Sequence, residues 1–296
     1  MDVNAVDMKL LNIGCGDTFH PQWTNLDYSP LASGVIACDV RRGLMFPAAR
    51  FAACYSSHVL EHLSPEEGAA LLAEMHRVLA PGGVVRVVVP DLELVARNYL
   101  ATLERALARA TGADDDYDWM MIQLLDQSVR RTSGGSMARF WRDPARNNQA
   151  FVVARAGLEA EWVMARARSG TAAVRRTLWQ RVRSRSPAQL SSELRRRTAR
   201  TLVGAIAGKS SARAFTEGLF RASGEIHQWM YDRYSLARAL TRAGFSEPRV
   251  LAASESLIPG FAAYELDVVG ARVRKPDSLF MEALKAAPGS PAGEHP

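Results

Sequence analysis

The sequence has no run of about eighteen apolar residues, so no helix read from it can span a bilayer. Cysteine is scarce. Cys15, Cys38 and Cys54 each sit inside an apolar run, and none has metal-ligand spacing. A disulfide framework is therefore not expected, and buried free thiols in a reducing compartment are. No basic, apolar leader stands at the front. Met1 to Asp7 carries two acids, which points to the cytoplasm. No internal repeat is visible. Charged residues make up 23% of the chain and hydrophobic ones 48%, which excludes wholesale disorder. The 296 residues suffice for one large core, or one core and a smaller helical unit.

Acids are nearly missing from one long stretch. Between Arg130 and Arg221 stand 20 Arg and Lys but only 5 Asp and Glu, while the net charge of the chain is +6. A solvated helix face and a functional basic surface both fit this pattern. Arg195-Arg196-Arg197 suits an anionic headgroup, a diphosphate-linked acceptor or nucleic acid. Phe140, Trp141, Trp162 and Trp179 lie among the arginines, as in helices resting on an anionic membrane surface.

The remainder alternates strands with helices. Lys9 to Ile13, Trp23 to Asp27, Val35 to Cys38, Phe51 to Ser56 and Val84 to Val89 read as five short buried strands. Ser64-Pro65-Glu66-Glu67 starts a helix with a capping box, and Pro81-Gly82-Gly83 stops it. Residues 96–223 read as an Arg-rich helical insertion. Alternation then resumes with a helix over Ser235 to Ala243, and strands over Arg249 to Ala253 and Tyr264 to Val273. The fold expected is α/β: a doubly wound, mostly parallel seven-stranded sheet. Its core would be residues 1–95 and 224–285, and residues 286–296 a disordered tail.

The first strand ends at Asn12-Ile13-Gly14-Cys15-Gly16. In open α/β sheets ligands bind beyond the carboxyl ends of the strands, where the strand order reverses. Glycines there let a ligand approach the backbone. The third glycine of the dinucleotide fingerprint is missing, since Phe19 stands in its place. A cofactor without a pyrophosphate fits better. Asp27 and Asp39 follow the next two strands, placed to accept hydrogen bonds from ribose hydroxyls and from an adenine amine.

Leu11 to Gly16, Asn25-Leu26-Asp27, Ser56 to Leu63 and Arg77 to Gly83 together resemble the class I S-adenosylmethionine-dependent methyltransferases, the type 11 group above all. The resemblance covers Leu10 to about Leu94 and returns at His227 to Asp232 and Lys275 to Leu279. It implies S-adenosylmethionine as cofactor, with Asn12, Gly14, Cys15 and Gly16 under its methionine part. Asp27 would hold the ribose and Asp39 the adenine, and Ser56 and Ser57 would border the methionine and the acceptor. Two departures matter: many family members carry an acid where Asn12 stands, and Gly16 to Asp27 is too short for a full first helix.

His58 and His227 are the candidate bases, each able as neutral imidazole to take a hydroxyl proton. Asp91, Trp229 and Tyr231 are the candidate acceptor residues, the aromatics offering flat faces to sugars or rings. Asp91 as a helix cap is the plainer alternative. His58-Val59-Leu60-Glu61-His62 also matches the inverted zinc-hydrolase pattern, which requires both histidines on one helix face. The family motif accounts for the same residues, so no metal ligand is expected. The reading is methyl transfer to an acceptor hydroxyl of a glycan or small natural product. Nucleic acid is disfavoured, because Ser56-Ser57-His58-Val59 replaces the Asn/Asp-Pro-Pro-aromatic motif of base-amine methylation. The rival class is a catalytically silent binding protein that uses the basic insertion for partners.

Overall fold

A computed structural model describes residues 9–30, 32–168 and 187–287. The seven-stranded sheet is present. Its strands are β1 (Leu10–Ile13), β2 (Trp23–Asp27), β3 (Val35–Ala37), β4 (Phe51–Ser57), β5 (Leu79–Pro90), β6 (Ser246–Leu251) and β9 (Ser278–Leu284). The order is β3-β2-β1-β4-β5-β9-β6, and β9 runs antiparallel to both its neighbours. The remaining pairs are parallel, and the order reverses between β1 and β4.

Period-two alternation sorts the side chains. Leu11, Ile13, Cys54 and Val87 face one core, together with Leu72 and Met75 of α1 (Pro65–Val78) and Leu240 of α7 (Arg233–Arg242). Leu10, Trp23, Tyr55 and Val88 face the other, under Phe261 and Leu266. All three cysteines are buried and free.

Ser64 accepts from the Glu67 amide, the Glu67 side chain accepts from the Ser64 amide, and Pro65 opens α1. The helix ends at Val78, and Pro81-Gly82-Gly83 lies within β5 instead of before it. A Cβ on Gly83 would stand 2.8 Å from the Ala80 carbonyl oxygen and 3.0 Å from that of Ala52, so no side chain fits that bend. α7 is capped by Asp232, with Ser235 three residues inside the box, one turn earlier than the sequence suggests.

The last strand departs from expectation. Tyr264 to Val273 is not in the main sheet. Gly270, at φ 58°, turns it into a two-residue ladder of β7 (Val268–Val269) and β8 (Arg272–Val273). The seventh strand is β9, six of whose seven residues are buried because neighbours flank it on both edges and cores cover both faces.

The insertion comprises α2 (Leu92–Leu107), α3 (Ala113–Val129), α4 (Gly135–Arg142), α5 (Gln149–Arg168) and α6 (Pro187–Arg221). It has its own core around Trp119, Met120, Phe140, Trp141 and Val152. Phe140 and Trp141 are thus not available to a membrane, Trp162 is exposed, and Trp179 lies outside the described residues, as does most of the tail. No described helix is long and apolar enough to cross a membrane.

Backbone contacts dock α5 on the segment between β8 and β9. Gly157 breaks the helix at φ 72°, and a Cβ there would lie 2.0 Å from the Arg274 carbonyl oxygen. That oxygen accepts from the Leu158 amide at 3.1 Å, and the Asp277 amide donates to the Arg155 carbonyl at 3.1 Å. Gly157→Ala should therefore lower stability by at least about 1–2 kcal/mol from the left-handed backbone alone. Thermal unfolding of the variant checks this, and an unchanged midpoint would contradict the docking role.

Candidate active site

Two cavities open at the carboxyl ends of β1 and β4. The larger, of about 700 Å³, lies over the switch point. Asn12, Gly14, Cys15, Gly16 and Ser57 line it from the sheet, and Leu158, Glu159 and Trp162 of α5 wall it from the insertion. Its volume is that of ordinary small-molecule sites, roughly 300–1,000 Å³. The smaller, of about 110 Å³, lies between Trp119, Trp141 and Met137 and the polar groups of Gln127, Arg155 and Asp277. His58, Glu159 and Lys275 line both cavities.

The glycine loop is shaped by its neighbours. Gly14 has φ 69° and Gly16 φ 54°, and a Cβ on Gly14 would meet Val59 at 2.1 Å. Asp27 sits at the end of β2, where its Oδ2 accepts from the Gly16 amide at 2.9 Å and its Oδ1 from the Ser29 amide at 2.7 Å. Asn12 donates to Asn25 and to the Thr18 carbonyl, while its own buried oxygen has no donor among the described residues. Burial pushes the Cys15 thiol up to about 11, so it stays protonated and unreactive.

Other expected residues lie elsewhere. Ser56 is buried on the opposite face of β4, since alternation sends Tyr55 and Ser57 to the cavity side. Asp39 caps a short helical turn and pairs with Arg41 at 2.8 Å, which holds its carboxyl below the usual range. Asp91 accepts from the Glu93 and Leu94 amides as the cap of α2. Tyr231 is buried in the core beside Gly68, and Trp229 is half exposed; the cavity receives Met230 from between them.

His58 stands just past β4 in the left-handed region, at φ 55°. Backbone strain in a non-glycine residue is frequent at functional sites. Its Nε2 lies 2.9 Å from Ser278 Oγ and its Nδ1 3.0 Å from Glu61 Oε1. Burial, then Lys275, lowers its pKa. Leu60–His62 is a single tight turn, so His58 and His62 are not successive positions of one helix face, and the zinc-hydrolase geometry is not formed. His227 is buried and pushed down to about 3 by that burial, with Gln127 Nε2 2.8 Å from its Nε2.

Two groups escaped the sequence reading. Asp277, held by Gln123 Nε2 at 2.5 Å, has its pKa pushed up by burial to about 6. Lys275 is half-buried where the cavities meet, and desolvation lowers its pKa. Both stand within Lys275 to Leu279, a stretch that resembles the family but whose residues carry no role legible in sequence.

Residues 11–87 match the methyltransferase domain family, type 11. That stretch is similar to a methyltransferase domain. Such domains use S-adenosylmethionine, and the matched residues contain the glycine loop, Asp27 and the turn at His58. No curated protein matches the chain significantly. Among solved structures, an Archaeoglobus fulgidus S-adenosylmethionine-dependent methyltransferase is 20% identical, over 31% of this chain and 51% of that one, with a TM-score of 0.27. The aligned part thus spans about half the length of that protein. A Haloferax volcanii complex of the Trm112 activator with a methyltransferase aligns over 95% and 83%, at 11% identity and TM-score 0.37. A Mesorhizobium loti methyltransferase aligns over 94% and 90%, at 13% identity and TM-score 0.35.

The larger cavity lies at the glycine loop of the matched stretch. In that loop Gly14 has no room for a side chain, and beside it Asn12 leaves a buried oxygen without a donor among the described residues.

Proposed function

We propose that the chain transfers a methyl group to an oxygen of a small molecule or glycan end. The observation that carries this is the junction of the two cavities at His58, Glu159 and Lys275. S-adenosylmethionine supplies an electrophilic methyl carbon on a sulfonium. Gly14, Gly16 and Asn12 would bind it, and Asp27 fixes the loop by accepting from the Gly16 amide. Trp119 and Trp141 offer the acceptor flat apolar walls. α5 walls the larger cavity, which limits water and holds the reactants in near-attack geometry. A cavity of about 110 Å³ favours a small acceptor group over a nucleic-acid strand.

Three groups can take the acceptor proton: His58, His227 and Asp277. A base works best with a pKa near the working pH. Asp277, at about 6, meets that condition better than His227, at about 3. We assign the proton to Asp277, with His58 orienting the acceptor.

Calorimetry with S-adenosylhomocysteine tests the reading. The native chain should bind it. Asp27→Ala frees the loop from a charged hydrogen bond of about 1.5–3 kcal/mol, so affinity should fall about 10–100-fold. A folded native chain that does not bind would instead be a silent module with the fold alone.

A further inference from the structure

Glu61 is fully buried, and neither of its carboxylate oxygens has a hydrogen-bond donor among the described residues. His58 Nδ1 lies 3.0 Å from Oε1, but out of line for a hydrogen bond. A buried carboxylate without donors is costly unless something else compensates its charge. Two imidazoles reach the same point. His62 follows in the turn, and His227 arrives from the segment that returns from the insertion. One ligand atom from each of Glu61, His62 and His227 lies within 4.8 Å of the others. The two segments are fastened together: the Gln228 amide donates to the Glu61 carbonyl at 2.7 Å, and Gln228 Nε2 to the His62 carbonyl at 2.7 Å.

The remaining ring nitrogens are already engaged. His62 Nδ1 lies 3.1 Å from the Ile226 carbonyl oxygen. A carbonyl only accepts, so Nδ1 carries the proton and Nε2 keeps its lone pair. On His227, Gln127 Nε2 lies 2.8 Å from Nε2; flipping that amide, whose oxygen and nitrogen are interchangeable in shape, lets Nε2 donate to the oxygen and leaves Nδ1 bare for a metal. Metal-binding histidines are oriented in this way, by donating the other ring N–H to a carbonyl or carboxylate.

We propose that Glu61, His62 and His227 bind a divalent transition-metal ion, zinc in the first instance, at the wall of the acceptor cavity. Two imidazoles and a carboxylate suit zinc or iron(II) and not the hard, all-oxygen chemistry of calcium or magnesium. Three protein ligands leave a position open, as in catalytic zinc sites. Of the three, His227 lines the acceptor cavity, so an open position on that side would be within reach of the acceptor. That last step rests on the methyl-transfer reading; the metal site does not. An acceptor hydroxyl on the ion would lose its proton more readily.

The test uses the full chain with its affinity tag removed, loaded with zinc alone and then dialysed. Elemental analysis should find about one zinc per chain, as three converging protein ligands predict. Glu61→Gln keeps the size of the side chain and should weaken zinc binding by more than about 100-fold. Cobalt in place of zinc should give visible absorption bands that disappear in His227→Ala. Circular dichroism confirms that both variants are folded, and calorimetry with S-adenosylhomocysteine runs alongside. A native chain that binds the nucleoside but no zinc overturns the metal site alone. A chain that binds zinc but not the nucleoside overturns the proposed function alone. Zinc retained by both variants assigns the ion to other histidines and removes this site.

Discussion

Arg86→Met should destabilise the fold by about 3–5 kcal/mol, the cost of breaking a buried ion pair from one side. Arg86 is fully buried in the middle of β5. It pairs with Asp267 at 2.7 Å and with Glu282 of β9 at 2.8 Å, and donates to the carbonyls of Glu255 and Ala253. Its guanidinium also lies over Phe261 at 4.8 Å and Phe280 at 5.4 Å. Methionine fills the volume but leaves two carboxylates buried without a cation. Tyr55 still donates to Asp267 at 2.5 Å, and Ser256 and the Leu257 amide to Glu282, which is not enough for two charges. Urea denaturation measures the loss. Because Leu266 and Asp267 line the larger cavity, S-adenosylhomocysteine affinity should fall with it. A change under about 1 kcal/mol would mean that the ions are no better than an apolar filling, as is known for some buried triads.

Asp277→Asn should reduce methyl transfer about 10²–10⁴-fold, the usual value of a positioned base. With the native chain, the rate should rise with pH through about 6, as the carboxyl loses its proton. The variant should lack that limb. Stability runs the other way. Burial raises the folded pKa above the ordinary carboxyl value, so between about 4 and 6 the folded chain holds a proton that the unfolded chain has released. The contribution is fully present below about 4 and is lost as pH rises through about 6. An asparagine at this position carries no charge to bury, so the variant should unfold at higher denaturant than the native chain at pH 7. A carboxyl titration by NMR locates the pKa directly. A pH profile unchanged in Asp277→Asn would return the proton to His58.

Much of this was legible in the sequence where local chemistry decides. β1 to β3 are short apolar runs closed by Gly or Asp, and Ser64 to Glu67 is a complete helix start. The cavity at the glycine loop follows from the same pattern. What escaped was set by distant partners. VVRVVV reads as a uniform strand, yet its Arg86 is tolerated only because Asp267 and Glu282 arrive from far along the chain. β9 carries an apolar run that alternates poorly, since both faces are covered, and the more regular Tyr264 to Val273 drew the assignment instead. Asp27, Asp39 and Asp91 look alike in sequence, and each accepts from nearby backbone amides, Asp27 from Gly16 of the cavity loop, Asp39 and Asp91 as helix caps. The cluster of Glu61, His62 and His227 joins residues more than 160 apart, which no spacing rule can bring together.

The place of β9 has a consequence for how the chain is assembled. β6 is hydrogen-bonded in the main sheet only to β9, and β9 alone joins it to β5. During synthesis, β1 to β5 can pair as they emerge, but β5 then waits with a bare edge while nearly two hundred residues follow. Such an edge invites pairing with another chain. The sheet is sealed only once that distant stretch has left the ribosome, and until then the helical insertion has no Arg274 carbonyl to dock against.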